Sequence, residues 1–193
     1  MRRFKGLLGY FPTLTRVESR VRKLTRGRVL DAGCGKGWAW RYFAQNNSVT
    51  YAVAVDIWLE GLKEVKKHNL YHDYVLADVR FLPFRDNCFD TVLLLQVIEH
   101  LPRAEGEALL ARLERIASII VVGTPVGFLR QPHHLSGWDP KDFTDRGYVV
   151  TGYGMTLPCK QISRATCILP IKRKIRNAYQ QLAVKIKEVK RAL

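Results

Sequence analysis

A glycine-rich turn near residue 30 constrains the fold of this chain more than any other stretch. Residues 28–38, RVLDAGCGKGW, begin as an apolar run typical of a buried strand and continue into a helical pattern. The three glycines allow a tight turn, and the first turn of the next helix presents unpaired N–H donors. A strand, a tight turn and a helix in this order suit a nucleotide-like ligand.

The spacing within this turn argues against a dinucleotide. The dinucleotide fingerprint G-x-G-x-x-G needs its third glycine for close packing of helix on strand. Here Gly37 comes one residue early, and Trp38 stands where that glycine is needed. Asp31 precedes the turn and would repel a pyrophosphate. A cationic ligand without phosphate fits the turn better.

Two further predicted strands also end in a carboxylate. Residues 51–56 form a buried apolar run ending in Asp56, and residues 74–79 form another containing Asp78. Carboxyl ends of parallel strands lie at one edge of a sheet, where open α/β sheets bind ligands. We expect Asp56 to accept hydrogen bonds from ribose hydroxyls. The alternative is that Asp56 only caps the helix that starts near Trp58.

Strand and helix patterns alternate along most of the chain. Apolar strands are predicted at 91–96 and 117–125 with an amphipathic helix between them, and further strands at 148–153 and 163–169. This order predicts an α/β fold: a doubly wound, mostly parallel sheet of seven strands whose last strand is antiparallel. Basic helices are predicted at both ends, the first from Thr13.

The net charge of +15 is concentrated at the two ends of the chain. Residues 1–28 hold nine Lys and Arg and one acidic residue, and residues 159–193 hold ten and one. The spacing of apolar residues in 171–193 predicts a basic amphipathic helix. We therefore divide the chain into a basic lead (1–27), a central domain (28–170) and this helix (171–193). The apolar stripe of the helix could pack on protein, lie on an anionic membrane or accompany RNA.

Several motifs together resemble one family. The segment 31–37 (DAGCGKG), the segment 97–102 (VIEHLP) and the run from His134 to Val150 are similar to class I, Rossmann-like S-adenosylmethionine-dependent methyltransferases, in particular those acting on small molecules and quinones. The resemblance implies S-adenosylmethionine as cofactor and S-adenosylhomocysteine as product. It assigns cofactor contacts to Asp31, Gly33, Cys34, Gly35, Gly37, Asp56, Ile57, Asp78, Val79 and Gln96.

Three histidines are candidates for a general base. His100, His133 and His134 all fall in segments expected above the carboxyl edge of the sheet. Each also has a structural interpretation, such as a hydrogen bond to a loop. Adjacent residues such as His133 and His134 rarely face one ion together, and the sequence supplies no clear third ligand. No metal site is therefore predicted.

Three hypotheses about function remain at this point. The first is a methyltransferase for a small-molecule or lipid-like acceptor, with the basic ends at a membrane or near the entrance. The second is a methyltransferase for RNA or an RNA-associated protein, and the third is a non-catalytic cofactor-binding domain. The chain lacks an apolar run of about 18 residues, which favours a cytoplasmic protein, peripheral at most to a membrane. A homodimer is compatible with the sequence.

Overall fold

A computed structural model describes residues 20–41, 46–155 and 178–186. Residues 20–24 are helical, in agreement with the last part of the predicted N-terminal helix. The remainder of that helix and the strand predicted at 163–169 lie outside the described residues.

Seven strands form one sheet. They are β1 (Gly27–Ala32), β2 (Val49–Asp56), β3 (Asp73–Leu76), β4 (Phe89–Leu95), β5 (Ala117–Pro125), β6 (Val149–Met155) and β7 (Ala178–Ile186). Their order is β3-β2-β1-β4-β5-β7-β6. Strands β1 to β5 are mutually parallel, and β7 runs antiparallel to both β5 and β6. The predicted mostly parallel, seven-stranded sheet is confirmed.

Helices cover both faces of this sheet. They include α1 (Leu59–Lys67), α2 (Arg103–Ile116) and α3 (Pro140–Thr144), and single 3-10 turns lie at Val79–Phe81 and Ile98–His100. One apolar cluster joins α2 and α3 to the sheet through Leu113, Trp138 and Phe143. The other joins α1 to the opposite face through Leu62 and Val65. Apolar side chains of β4 alternate between the two clusters, which explains its nearly continuous apolar sequence.

The C-terminal helix predicted over 171–193 is wrong where the structure describes it. Residues 178–186 form β7, inserted between β5 and β6 and paired with both over most of its length. Ala183 and Val184 are adjacent and both buried, as expected for a strand covered on both faces. The apolar spacing fitted a helix as well as a strand, and pairing with two neighbours decided between them. This segment is therefore part of the central domain and not a separate element.

In the part of the chain that the structure describes, no helix combines the length and apolar character needed to cross a membrane.

Candidate functional site

A cavity of about 580 Å³ opens at the carboxyl ends of the parallel strands. It lies where the strand order reverses, because β2 and β4 flank β1 on opposite sides. Its lining residues are Gly33, Gly35, Asp56, Ile57, Asp78, Val79, Arg80, Gln96, Val97, His100, Leu101, Pro102, Glu105 and Leu135. Seven of the predicted cofactor contacts and one predicted histidine are therefore brought together here.

The glycine turn forms the floor of the cavity next to β1. The N–H groups of Gly33 and Cys34 both donate to the Val55 carbonyl, at 2.8 and 3.0 Å. Gly33 has a φ of +80°, and a Cβ there would lie 2.3 Å from Cγ2 of Val97. Gly35 has a φ of +53°, and a Cβ there would meet nothing within 4 Å. Gly33 thus permits close packing inside the protein, while Gly35 leaves open space.

Asp56 lines the cavity and fixes two neighbouring turns. One carboxylate oxygen, Oδ2, accepts from the Gly35 N–H at 2.7 Å, and Oδ1 accepts from the Trp58 N–H at 2.8 Å. Trp58 is the residue before α1, whose first turn receives no side-chain cap. A carboxylate has about four acceptor positions, so Asp56 keeps capacity for further donors.

Asp78 also lines the cavity, and Arg80 clamps it. Asp78 Oδ1 accepts from the Arg80 backbone N–H at 2.9 Å, and the Arg80 guanidinium contacts both carboxylate oxygens. The same guanidinium donates to Glu105 on α2 at 3.0 Å. These hydrogen bonds from Arg80 hold the pKa of Asp78 below its usual range. The sequence reasoning identified Asp78 but not the arginine that bridges it to α2.

Asp31 is placed differently from the other two strand-end carboxylates. It is 2% exposed, is not among the residues lining the cavity, and accepts from the Tyr71 hydroxyl at 2.6 Å. Burial raises its pKa to about 6, and the Tyr71 hydrogen bond partly opposes this rise. Asp31 therefore joins the turn to the segment after α1.

Cys34 and Gly37 were also predicted to contact the cofactor, but neither is among the residues that line the cavity. Cys34 is buried, and its burial raises the pKa of the thiol far above its ordinary value. Gly37 has a φ of +70°, and a Cβ there would lie 2.8 Å from Val65 on α1. Their places show that Cys34 is a small buried residue and that Gly37 lets the turn approach α1 closely.

The opposite side of the cavity is formed by the segment after β4. Gln96 takes a φ of +59°, and its backbone N–H donates to the Gly123 carbonyl at 2.7 Å. This left-handed residue ends β4 and turns the chain into the Ile98–His100 turn. Four residues add apolar character to this side, next to the polar Gln96 and His100: Val97, Leu101, Pro102 and Leu135.

The three predicted histidines are not equivalent. His100 lines the cavity, whereas His133 and His134 are not among its lining residues. The rings of His100 and His134 meet edge to face with centroids 4.9 Å apart. Nδ1 of His100 lies 3.0 Å from the His133 carbonyl, and Nδ1 of His134 lies 3.0 Å from the Leu129 carbonyl.

Glu99 lies beside His100 and His134, and the three residues are called the histidine corner below. The sequence did not identify Glu99 as a site residue. It is 2% exposed, and its Oε2 accepts from the Thr124 hydroxyl at 2.9 Å. Glu99, His100 and His134 each offer one atom that could bind a metal ion, and these three atoms lie within 4.8 Å of one another. The sequence signal was an acidic residue directly after apolar residues 97–98 at the end of a central strand, a position that favours burial.

Known proteins share this fold. Residues 30–118 match a family model described as a methyltransferase domain. A chain in the solved complex of the Haloferax volcanii Trm112 methyltransferase activator with a methyltransferase superimposes with a TM-score of 0.68. The match covers 94% of this chain and 92% of that one. Because the two sequences are only 16% identical, it supports a shared fold and not a shared function.

Curated relatives are similar over shorter stretches. The malonyl-[acyl-carrier protein] O-methyltransferase of Pectobacterium atrosepticum is 37% identical over 101 residues, covering 50% of this chain and 38% of the relative. The human mitochondrial arginine-hydroxylase NDUFAF5 is 36% identical over 95 residues, covering 47% of this chain and 27% of the relative. The chain thus matches less than half the length of either relative.

Proposed function

Since this chain has the Rossmann-like fold of the class I S-adenosylmethionine-dependent methyltransferases, we propose that it transfers a methyl group from that cofactor to a small-molecule or lipid-like acceptor. The observation that carries the proposal is the convergence of Gly33, Gly35, Asp56 and Asp78 on one cavity. Residues that follow three strand ends meet there, which supports the cofactor contacts implied by the resemblance.

The residues present fit the cofactor. Gly35 leaves open space beside the turn, and Asp56 retains acceptor positions after binding two backbone N–H groups. By the resemblance, Asp56 would hold the ribose hydroxyls, while Asp78 and the Val79 N–H would hold the adenine. When bound, S-adenosylmethionine supplies a methyl group on a positively charged sulfur. The protein would contribute by orienting the reactants and excluding water.

The acceptor side supports an apolar or amphipathic molecule. Leu101, Pro102 and Leu135 also line the cavity, and the Leu135 side chain is 61% exposed. The Pectobacterium relative is named for O-methylation of a malonyl group on an acyl carrier protein. A carboxylate acceptor of that kind is already deprotonated near neutral pH, so methyl transfer to it would require no general base.

Calorimetric titration with S-adenosylmethionine tests the cofactor assignment. We expect one site per chain, weakened in Asp56→Ala, with Asp90→Ala as the control because Asp90 contacts Arg28 rather than the cavity. A folded protein that gives neither heat nor a thermal shift would overturn the proposal. Unchanged affinity in Asp56→Ala would overturn the ribose assignment alone.

The acceptor class is tested with labelled cofactor. Cell extract is separated into organic-soluble, RNA and protein fractions, and each is incubated with the protein and methyl-labelled S-adenosylmethionine. We expect label in the organic-soluble fraction. Label confined to RNA or protein would instead support the second hypothesis, in which the basic ends contact RNA.

Attachment to an anionic membrane is a separate proposal that concerns the basic ends. Retention of the full chain on anionic liposomes should fall as salt rises if charge drives it. A truncation at Pro170 is unsuitable as the control because it removes β7 from the sheet. Charge-reversal variants at Lys172, Arg173 and Lys174 are the suitable comparison. No retention at low salt would contradict the membrane proposal.

A further inference from the structure

The corner formed by Glu99, His100 and His134 contains an unusual buried carboxylate. Glu99 is 2% exposed, and its Oε1 has no hydrogen-bond partner among the described residues. Buried polar atoms are nearly always paired, because an unpaired one loses its hydration without compensation.

Both histidines are oriented by backbone carbonyls. A carbonyl oxygen only accepts hydrogen bonds, so Nδ1 of His100 and Nδ1 of His134 each carry the proton in these contacts. The Nε2 of each neutral ring therefore keeps its lone pair. A hydrogen bond from the second ring nitrogen to a backbone carbonyl is the arrangement that commonly orients histidines bound to metals.

The backbone holds the two contributing segments together. The Leu135 and Ser136 N–H groups donate to the Glu99 carbonyl at 2.8 and 3.2 Å, and the Ser136 hydroxyl contacts the Ile98 carbonyl at 3.3 Å. Ser136 in turn accepts from the buried Trp138 indole at 2.9 Å. His134 is consequently held beside Glu99 and His100 by contacts that do not involve its own side chain.

We infer that Glu99, His100 and His134 form a binding site for one divalent transition-metal ion at the acceptor side of the cavity. Two imidazoles and one carboxylate suit Zn²⁺, Co²⁺, Fe²⁺ or Mn²⁺ better than Mg²⁺ or Ca²⁺, which prefer oxygen ligands alone. Ligand bonds of about 2.0–2.2 Å would draw the three donor atoms closer than their present 4.8 Å limit.

The position of the site gives the ion a role. His100 lines the cavity, and three protein ligands leave coordination positions for an oxygen of the acceptor. The adjacent pair His133 and His134 that the sequence analysis considered is replaced by His100 and His134, and Glu99 is the third ligand that the sequence did not reveal. The ion would hold an oxygen-bearing acceptor in the cavity, a role that rests on the proposed methyl transfer.

Titration of the chelator-treated full chain with Co²⁺, followed by visible absorption, tests the inference. We expect one Co²⁺ per chain, displaced by Zn²⁺. Glu99→Gln and His134→Gln should each weaken Co²⁺ binding at least about 10-fold. Glu99→Gln preserves the shape of the side chain and its contact with Thr124, and His100→Gln, at an exposed position, provides a second variant with little risk to folding.

His133→Asn is the matched control. His133 is exposed with a φ of +75°, which Asn tolerates, and its hydrogen bond with His100 is made by the backbone carbonyl, which Asn keeps. Co²⁺ affinity should stay within about twofold of the parent value, as for surface changes away from a site. No Co²⁺ binding, or binding unaffected by Glu99→Gln and His134→Gln, would overturn the inference. Titration with S-adenosylmethionine is a separate measurement, so failure of the metal site and of the proposed function would be distinguishable.

Discussion

The cavity has two walls that are built in different ways. The strand-end wall consists of Gly33, Gly35, Asp56 and Asp78, each placed directly by the end of a parallel strand. The histidine corner consists of Glu99, His100 and His134, of which His100 lines the cavity. Its residues come from two loops joined by hydrogen bonds to the Glu99 carbonyl. One wall depends on local turns along the chain, and the other depends on a contact between distant segments. The two should therefore respond independently to mutation.

The largest effect is expected where the glycine turn contacts the segment after β4. Gly33→Ala combines a positive φ with a Cβ 2.3 Å from Val97, and should lower the free energy of unfolding by about 3–4 kcal/mol. Gly35→Ala has a positive φ but open space, and should cost only about 1 kcal/mol. Urea denaturation measures both. Equal losses would show that the contact with Val97 does not separate the two glycines.

A pH effect should distinguish Asp31 from the carboxylates that line the cavity. Burial raises the pKa of Asp31 to about 6, so the folded protein binds this proton more tightly than the unfolded chain does. The resulting stabilisation is present below about pH 4 and is lost as the pH rises through about 6, a change of about 2–3 kcal/mol. Asp31→Asn should remove this pH dependence.

Unfolding free energies of both proteins at pH 4, 5, 6 and 7 measure this difference. Parallel profiles would contradict the assignment of a raised pKa to Asp31. We also expect Asp31→Asn to weaken S-adenosylmethionine binding less than Asp56→Ala does, because Asp31 faces Tyr71 and not the cavity.

A pair of variants tests the independence of the two walls directly. Asp56→Ala should weaken S-adenosylmethionine binding about 10- to 100-fold, as expected for the loss of hydrogen bonds to a charged group. It should leave Co²⁺ binding unchanged, and Glu99→Gln should do the opposite. Calorimetry and absorption titrations on the same preparations provide the comparison. Loss of both ligands in either variant would mean that the walls are coupled.

The smallest effect is expected at the bridge between Asp78 and α2. Arg80 is partly exposed in its ion pairs with Asp78 and Glu105, so Arg80→Gln should destabilise the fold less than Gly35→Ala does. The loss should shrink further at high salt because exposed charges are screened. Thermal denaturation at two salt concentrations checks this. A loss that is large and independent of salt would indicate that Arg80 packs rather than pairs.

The residues of the strand-end wall could largely be predicted from the sequence. An apolar run followed by a carboxylate or glycine places that residue at the carboxyl edge of a parallel sheet, which is how Gly33, Asp56 and Asp78 were found. The same pattern included Asp31, which the structure turns toward Tyr71. Which way a strand-end side chain points depends on the neighbouring elements, and a single strand does not specify them.

The histidine corner and β7 could not be predicted from the sequence, because both depend on contacts between distant segments. His100 and His134 are 34 positions apart, and the contact between them depends on the loop after β5 folding back on the Ile98–His100 turn. Residues 178–186 carry an apolar pattern compatible with a helix, yet β5 and β6 offer them backbone partners on both sides. Backbone pairing with distant strands outweighs a local pattern that fits two structures.

By itself, the sequence determined the alternation of strands and helices, the glycine turn and the carboxylates at successive strand ends, because each depends on residues close together in the chain. Only the tertiary structure decided that β7 completes the sheet, that Asp31 is buried against Tyr71 and that Glu99 lies beside two histidines. These features depend on contacts between segments far apart in sequence, where burial and hydrogen bonding outweigh local preference.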